Sequence, residues 1–266
     1  MPSPHDRIDT TTAHSARVYD YILGGKDHYL VDVEAGDAMC RHWPALPVHM
    51  RENRRFMHRA GRYLAQERGI RQFLDIGTGL PTAPNLHEVA QEAAAHAHVV
   101  YVDNDPIVLA HARALLQSSP EGATAYVDAD MHDPDAILDS PQFRELIDLG
   151  RPVGLMIIGI LHFILPPDDR RLVRRLLDPL PSGSYLAMTI GTADFAPEEV
   201  GRVSQEYAEQ GMPMALRDLP TASSFFDGMD LVEPGVVQVH RWRPGPEQSG
   251  IDDRAIAMYG AVARKL

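Results

Sequence analysis

The pattern of apolar and polar residues along the chain changes near Gly69. Before this glycine, apolar residues recur at the spacing of amphipathic helices, and the pattern predicts helices over 15–23, 32–42 and 47–68. After it, short apolar runs alternate with amphipathic stretches. The runs predict strands within 73–80, 99–106, 123–130, 152–165 and 183–190, and the stretches predict helices over 85–95, 106–117, 134–148, 168–180, 197–210 and 217–227. This alternation indicates a parallel sheet that is covered on both faces.

The last part of the chain has a different pattern. Two strand-like runs, 229–234 and 235–242, meet at Pro234-Gly235, which is typical of a β-hairpin. A Pro/Gly-rich loop follows, and then a predicted short helix over 252–259. The whole pattern predicts an α/β fold of Rossmann-like type. Its expected parts are a flexible arm (1–13), an N-terminal helical cap (14–68), a ligand-binding α/β core (69–243) and a tail that packs on the core (244–266).

Composition narrows the class of protein. The chain has 266 residues, of which 44% are hydrophobic, so a packed core is expected. Its net charge of −12 makes it a poor nonspecific binder of nucleic acid. A single cysteine, Cys40, argues against a disulfide-stapled secreted fold. The N-terminus has no signal-peptide core, and the longest apolar run, 153–161, is too short to span a bilayer. We therefore expect a cytoplasmic protein that needs neither nucleic acid nor membrane as a partner.

Polar residues follow several of the predicted strands at the end where ligands bind in open parallel sheets. They are Asp75, Gly77, Thr78 and Gly79 after the first strand, Asp103, Asn104 and Asp105 after the second, Asp128, Asp130 and Met131 after the third, and His162 after the fourth. Gly77 and Gly79 allow a tight turn and a close approach of backbone to ligand. Asp103 lies 24 residues after Gly79, where a carboxylate can accept two hydrogen bonds from a ribose diol.

Two nucleotide ligands fit this arrangement unequally. A nicotinamide dinucleotide requires a third glycine, G-x-G-x-x-G, but Thr82 occupies that position. S-adenosylmethionine has no phosphate, and its sulfonium cation is favoured by an acidic pocket. The spacing therefore favours S-adenosylmethionine over the dinucleotide.

The longer strings around these residues carry a more specific resemblance. FLDIGTGLPTAPNLHEVAQ, VVYVDNDPIVLAHARALL and YVDADMHDP resemble the class I S-adenosylmethionine-dependent methyltransferases, and more narrowly the actinobacterial group classed as a domain of unknown function. SARVYDYILGGKDHY, RENRRFMHRAGRYL, GMDLVEPGVV and YGAVARK are similar to the same group, so the resemblance covers 14–266. It implies a seven-stranded sheet whose last two strands form a hairpin. The chain departs from the superfamily at the third glycine of the E/DxGxGxG loop.

The resemblance also implies roles for single residues. Asp75, Gly77 and Gly79, with Thr78 between the glycines, would lie along the methionine part of the cofactor. Asp103 would hold the ribose hydroxyls, Asn104 would lie beside the adenine, Asp130 would take the adenine amino group, and Met131 would supply a backbone amide. His162 would face the methyl group.

The candidate residues in three segments also have a purely structural interpretation. His162 is flanked by apolar residues and is either a packed core residue or a general base. Gly24 and Gly25 are either a helix stop or the hinges of a lid that closes over the cofactor. RENRR (51–55) is either a solvated helix face or presents Arg51 and Asn53 to the cofactor carboxylate. The histidines and acids form no convincing metal constellation, so no metal is predicted.

The function that these observations predict is S-adenosylmethionine-dependent methylation, with a small molecule as the methyl acceptor. One alternative is a regulatory protein that binds the cofactor without catalysis. The other is a nicotinamide-dependent oxidoreductase, which Thr82 disfavours.

Overall fold

The computed structural model describes residues 9–115 and 118–266. The strands in these residues are β1 (Gln72–Ile76), β2 (His98–Asp103), β3 (Ala123–Asp128), β4 (Gly154–Ile157), β5 (Tyr185–Gly191), β6 (Met229–Leu231), β7 (Val237–Gln238) and β8 (Met258–Lys265). The helices are α1 (Ser15–Ile22), α2 (Leu30–His42), α3 (Leu46–Gln66), α4 (Leu86–Ala93), α5 (Pro106–Leu115), α6 (Pro134–Leu138), α7 (Pro141–Leu146), α8 (Asp168–Leu177), α9 (Pro197–Glu209) and α10 (Leu219–Ser223).

The sheet has the order β3-β2-β1-β4-β5-β8-β6, and β7 pairs with β8 outside this path. Strands β1 to β5 are parallel, whereas β8 runs antiparallel to β5, β6 and β7. The predicted α/β, Rossmann-like fold is therefore confirmed. Strand order reverses at β1, which lies between β2 and β4, so a crevice opens at the carboxyl ends of these strands.

The buried strands place alternate side chains in two hydrophobic clusters, one on each face of the sheet. Leu74 and Ile76 of β1 lie in the cluster that includes Leu172 of α8. Phe73 of β1 lies in the opposite cluster with Phe56 of α3. All five residues of β1 are buried, which explains why the predicted strands are continuous apolar runs rather than alternating ones.

The N-terminal helices cover the carboxyl end of the sheet through a third cluster. This cluster joins apolar residues of α1, α2 and the start of α3 to Val200, Val203 and Tyr207 of α9. The guanidinium of Arg17 in α1 donates to the carbonyls of Asp9 and Thr12, 2.8 and 2.6 Å away. Residues 1–8 of the predicted arm lie outside the described residues, as do the last two residues of the helix predicted over 106–117.

The predicted C-terminal hairpin and tail helix are wrong. Strands β6 and β7 do not pair with each other, because each pairs with β8. Residues 253–255 form one 3-10 turn, and 258–265 form a strand beside β5 instead of a helix. Met258–Ala263 is buried throughout, so tertiary burial outweighs the helix propensity of its alanines and methionine. With β7, the sheet has eight strands in the described residues, against the seven that the resemblance implied.

Smaller departures occur where a cap or a turn interrupts a predicted element. The helix predicted over 134–148 is two short helices, since Ser140 caps α7 by accepting from the amide of Phe143. The helix predicted over 217–227 is α10 followed by a 3-10 turn over 224–226. Strand β4 ends at Ile157, and His162 lies on a separate 3-10 turn, Leu161–Phe163.

Candidate active site

A cavity of about 380 Å³ lies at the carboxyl ends of β1 to β4, under α1, α3 and α9. Its size is within the range of small-molecule sites. The sequence-predicted residues that line it are Asp75, Gly77, Thr78, Gly79, Asp103, Asn104, Asp130, Met131 and His162. We call the segments 77–82, 103–105 and 129–132, which follow β1, β2 and β3, the strand-end loops.

The first strand-end loop requires its glycines. Gly77 and Gly79 have φ of 70° and 67°, a region that side chains other than glycine rarely adopt. A Cβ on Gly77 would lie 2.3 Å from Cδ1 of Ile160, in the segment after β4. The amide of Gly77 donates to the carbonyl of Val102 at 2.8 Å, which fixes the loop against β2. The glycines thus expose backbone to the cavity.

The carboxylate of Asp103 joins the first two strand-end loops. Its Oδ2 accepts from the amide of Gly79 and its Oδ1 from the amide of Asp105, both at 2.9 Å. Burial raises the pKa of Asp103, and these two hydrogen bonds oppose the rise. Each oxygen keeps a lone pair free, so the carboxylate can still accept from a ligand.

Asp130 anchors the third strand-end loop. Its Oδ1 accepts a hydrogen bond from the backbone amide of His132 and lies 2.7 Å from the Nδ1 of the same residue. Its Oδ2 accepts a hydrogen bond from Nδ2 of Asn104 at 2.7 Å. Burial works to raise the pKa of Asp130, but these bonds outweigh it and lower the pKa. Asp130 is therefore a charged acceptor at neutral pH, and Asn104 is held beside it.

Asp75 lies in β1 and is buried to the same extent as Asp103. Burial, with a smaller contribution from the charge of Asp103, raises the pKa of Asp75 to about 7, although Arg54 opposes the rise. A carboxyl group with this pKa takes up or releases a proton near neutral pH. Its charge therefore depends on what occupies the cavity.

One face of α3 contributes several lining residues, of which only Asn53 was a candidate from the sequence. Leu46, His49, Met50, Asn53 and Met57 all line the cavity at helical spacing. Asn53 was predicted as an alternative, whereas Arg51, predicted with it, is exposed and the neighbouring Arg54 lines the cavity instead. The signal for this face was the interruption of an apolar stripe by His49 and Asn53.

Asn53 is unusual among the buried residues described. Its Oδ1 has no hydrogen-bond partner, while its Nδ2 donates to the hydroxyl of Tyr19 at 3.4 Å. A Cβ on Gly159 would lie 2.8 Å from this Nδ2, so the segment after β4 fits closely against the amide. A buried oxygen without a partner inside a ligand-sized cavity is a candidate contact for a bound polar group.

Two buried histidines face the same part of the cavity. Burial, with a smaller effect from His49, lowers the pKa of His162 to about 3, and burial lowers the pKa of His49 to about 4. Both imidazoles are therefore neutral at pH 7. Nδ1 of His49 accepts from the amide of Ala257 at 3.2 Å, whereas Nδ1 of His162 has no partner.

A buried ion pair holds the turn that carries His162. Arg217 contacts Asp169 at 2.6 Å, and its guanidinium also donates to the carbonyls of Leu161 and Ile164 on either side of His162 and Phe163. The amide of Ala215 donates to the carbonyl of His162 at 2.7 Å. The position of His162 thus depends on contacts from a distant part of the chain.

Gly24 and Gly25 are the predicted site residues that do not line the cavity. The amide of Gly25 donates to the carbonyl of Asp20 at 2.8 Å, and a Cβ there would lie 1.9 Å from Oδ1 of Asp20. Asp20 lines the cavity and accepts from the amide of Asp27 at 2.9 Å. The glycines shape a turn against Asp20, and their role as lid hinges stays a prediction.

The described residues contain no group of three or more His, Cys, Asp or Glu side chains placed to hold a metal ion. None of the helices in those ranges combines the length and the apolar character that crossing a membrane requires.

Comparison with known proteins agrees with this geometry. The profile of a family described as S-adenosyl methyltransferase (Methyltransf_19) matches residues 1–266. A DUF574 family protein from Streptomyces avermitilis is 65% identical, with a TM-score of 0.96, over 98% of this chain and 100% of that chain. A proposed methyltransferase from Thermobifida fusca is 40% identical, with a TM-score of 0.88, over 97% of this chain and 96% of that chain.

A more distant structure shares the fold alone. The plantazolicin methyltransferase BpumL, solved with S-adenosylhomocysteine, is 10% identical with a TM-score of 0.51, over 94% of this chain and 95% of that one. A search of curated proteins found no match. The family profile spans the whole chain, and the cofactor of that family is S-adenosylmethionine. The chain belongs to the S-adenosyl methyltransferase family.

Proposed function

We propose that the protein transfers the methyl group of S-adenosylmethionine to a small molecule that binds beside His162. The observation that carries this proposal is one continuous cavity, which is lined by the strand-end loops at one side and by His162 and α9 at the other. Cofactor and acceptor can thus occupy adjoining parts of a single cavity. A shared cavity of this kind positions the two reactants relative to each other.

The strand-end loops fit the cofactor in shape and charge. Nothing lies within 4 Å of the position that a Cβ on Gly79 would take, so a ligand can approach the backbone closely at this glycine. The carboxylate of Asp103 would hold the ribose hydroxyls. Asn104, the charged Asp130 and the amide of Met131 would contact the adenine, and Thr78 and Gly79 would contact the part between.

The amino-acid end of the cofactor would lie near Asp75 and Asn53. The cofactor carries a positive ammonium and a positive sulfonium, and either cation would favour the charged form of Asp75, whose pKa is raised to about 7. The unpartnered Oδ1 of Asn53 would accept a hydrogen bond from the ammonium. The carboxylate end would face Arg54, whose guanidinium is held by the carbonyls of Thr82 and Pro84.

His162 would act on the acceptor. S-adenosylmethionine supplies a methyl group that is already electrophilic, so the protein need only align a nucleophile and dispose of its proton. A neutral His162 with a free Nδ1 can accept a hydrogen bond from an O–H or N–H of the acceptor. Its low pKa makes it a weak base, which suffices when the proton leaves late, from an oxygen that has become strongly acidic by gaining the methyl group.

The proposal is tested first by binding and then by turnover. Calorimetry should show S-adenosylmethionine and S-adenosylhomocysteine binding, with no binding of a nicotinamide dinucleotide. Incubation with a lysate and isotope-labelled methyl donor should then give labelled small molecules. Protein saturated with cofactor that labels nothing would favour the regulatory alternative, and labelled nucleic acid would contradict the predicted acceptor class. The cytoplasmic location stays a prediction from the sequence.

A further inference from the structure

Apolar and aromatic side chains outside the strand-end loops line one part of the cavity, and we call this part the acceptor compartment. Its walls are Trp43, Leu46, Phe163, Val203, Tyr207 and Met214. These residues also belong to one hydrophobic cluster, so they lie close to one another. Four separate chain segments contribute them, which shows that the compartment is formed by tertiary packing and not by one local motif.

Aromatic rings form a continuous wall from the candidate reacting group into this compartment. The rings of His162 and Phe163 have centroids 4.3 Å apart, and those of Phe163 and Tyr207 are 5.5 Å apart at an interplanar angle of 69°. Trp43 and His49, which also line the cavity, have ring centroids 5.1 Å apart. Several rings lining one cavity favour a flat ligand that can contact their faces and edges.

Charge is confined to the other parts of the cavity. Apart from the histidines, the charged side chains among its described lining residues are Asp20, Arg54, Asp75, Asp103 and Asp130. Asp20 is already paired with His28 at 2.9 Å. Arg54 donates to the carbonyls of Thr82 and Pro84. The three other acids lie at or just after the carboxyl ends of β1, β2 and β3. The acceptor compartment therefore offers no counter-ion to a charged ligand, and burying an unpaired charge is costly.

The two histidines of the compartment do not change this conclusion. Burial lowers the pKa of both imidazoles, and His49 and Arg217 lower that of His162 further, so protonation of either ring is opposed. Nδ1 of His49 is occupied by the amide of Ala257. What the histidines offer is hydrogen bonding from neutral rings, which suits one O–H or N–H group on an otherwise apolar molecule.

We infer that the methyl acceptor is an uncharged, ring-containing molecule that places a single hydroxyl or N–H group against His162 and its apolar ring against Phe163 and Tyr207. This inference rests on the proposed function, because it assigns the compartment to the acceptor. It narrows the acceptor to neutral aromatic compounds and excludes anionic and cationic ones, such as carboxylic acids, phosphates and free amines.

Three matched probes test the inference on the full chain loaded with S-adenosylhomocysteine. They are 2-naphthol, its 6-sulfonate and its 6-aminomethyl derivative, which share a ring and a hydroxyl but differ in charge. Calorimetry should show 2-naphthol binding at least about tenfold more tightly than either charged probe, since each charge would be buried without a partner. Equal or tighter binding of a charged probe would overturn the inference, and so would failure of all three to bind the loaded protein.

A variant inside the compartment sharpens the test. Met214 is half-buried, so Met214→Lys can add a positive charge to the wall without filling the core. It should shift preference toward the sulfonate by about tenfold or more, while Leu231→Lys, an exposed change on β6, should not. Unchanged preference in a Met214→Lys protein that still binds S-adenosylhomocysteine would contradict the inference. Failure of the wild-type protein to bind S-adenosylhomocysteine would instead contradict the proposed function.

Discussion

The strand-end loops and the acceptor compartment belong to the same cavity but are held together by different interactions. The loops come from adjacent parallel strands, and their carboxylates accept hydrogen bonds from neighbouring amides, as Asp103 does from Gly79 and Asp105. The compartment comes from helices and a loop that are far apart in sequence, and apolar packing holds it together. A cofactor site built on local geometry can stay constant among relatives, whereas a packed apolar wall can change its ligand by a few substitutions.

The largest effect should come from the buried ion pair behind the compartment. Arg217→Ala should lower the free energy of unfolding by about 3–5 kcal/mol, because it leaves the carboxylate of Asp169 buried without its partner. The same change removes the donors to the carbonyls of Leu161 and Ile164, and with them the support of His162. Urea denaturation would measure the loss.

A double variant separates charge from packing at this pair. Arg217→Met with Asp169→Leu removes both charges and keeps apolar volume, so it should recover most of the lost stability. Affinity for S-adenosylhomocysteine should change little in either protein, since neither residue touches the strand-end loops. A large loss of cofactor affinity would show that the two sides of the cavity are coupled.

The next largest effect should be on turnover. His162→Asn keeps a hydrogen-bonding side chain but cannot take a proton, so we expect turnover to fall about 10²-fold, at the low end for general-base catalysis. Cofactor affinity should stay within about threefold of the wild type if His162 serves only the acceptor. His42→Asn, on α2 outside the cavity, is the matched control. Full turnover in His162→Asn would remove this residue from the chemistry.

The strand-end loops were predictable because their signals are local. A glycine with positive φ and an acid at the end of the next strand are fixed by short-range geometry. Seven predicted residues of the strand-end loops line the cavity, as does Asp75 of β1. The strands β1 to β5 were predictable for the same reason, since each is a continuous apolar run. Strand β8 was missed because its packing partners are distant in sequence: Phe56 and Val239 both pack closely against Gly260.

The acceptor compartment was largely hidden in the sequence. Tyr207, Met214 and Trp43 meet only after α9 packs on α2, and a single sequence carries no sign of that contact. His162 was identified by its place after β4, but the ion pair that holds its turn joins residues 48 positions apart. Asn53 was a candidate from the sequence, and helical spacing on α3 could also have shown His49, because both residues interrupt an apolar face.

Cofactor affinity should respond to Asp103 with an intermediate effect. Asp103→Ala should weaken S-adenosylmethionine binding by about 1.5–3 kcal/mol, the range for hydrogen bonds to a charged group. Part of the loss would come from the loop itself, since the Gly79 amide loses its acceptor. Asp103→Asn keeps one acceptor and should lose less. Calorimetry that shows equal affinity for wild type and Asp103→Ala would sink the assignment of the ribose to Asp103.

A smaller, pH-dependent effect on stability and on ligand affinity is expected from Asp75. Because the pKa of Asp75 is raised to about 7 in the free protein, its contribution to folding stability is present below its ordinary pKa and is lost as pH rises toward 7. A cationic ligand would lower this pKa again, so binding at pH 7 should release roughly half a proton and tighten as pH rises. Calorimetry in buffers of different ionisation enthalpy counts that proton.

A comparison of proton release on binding S-adenosylmethionine and S-adenosylhomocysteine shows which positive charge of the cofactor lowers the pKa of Asp75. If the sulfonium lowers the pKa, S-adenosylmethionine should release more protons than S-adenosylhomocysteine, which lacks that cation. Asp75→Asn should abolish the release. Proton release that persists in Asp75→Asn would assign the titration to another group.

The smallest expected effect concerns α1 and the turn after it, which touch both sides of the cavity. Nδ1 of His14 lies 3.0 Å from Oδ2 of Asp105 in a strand-end loop, and Asp27 lies 3.3 Å from His111 of α5. Val18, on the same helix, packs in the cluster that lines the acceptor compartment.

If this segment closes as a lid, S-adenosylhomocysteine alone should slow hydrogen exchange of the amides near Gly24 and Gly25 by about tenfold, which corresponds to an increase of about 1.4 kcal/mol in the free energy of opening. Asp27→Asn should reduce the slowing by weakening the contact with α5. Exchange that is identical with and without ligand would leave the glycines as a structural turn, and slowing that requires 2-naphthol as well would place the segment with the acceptor compartment.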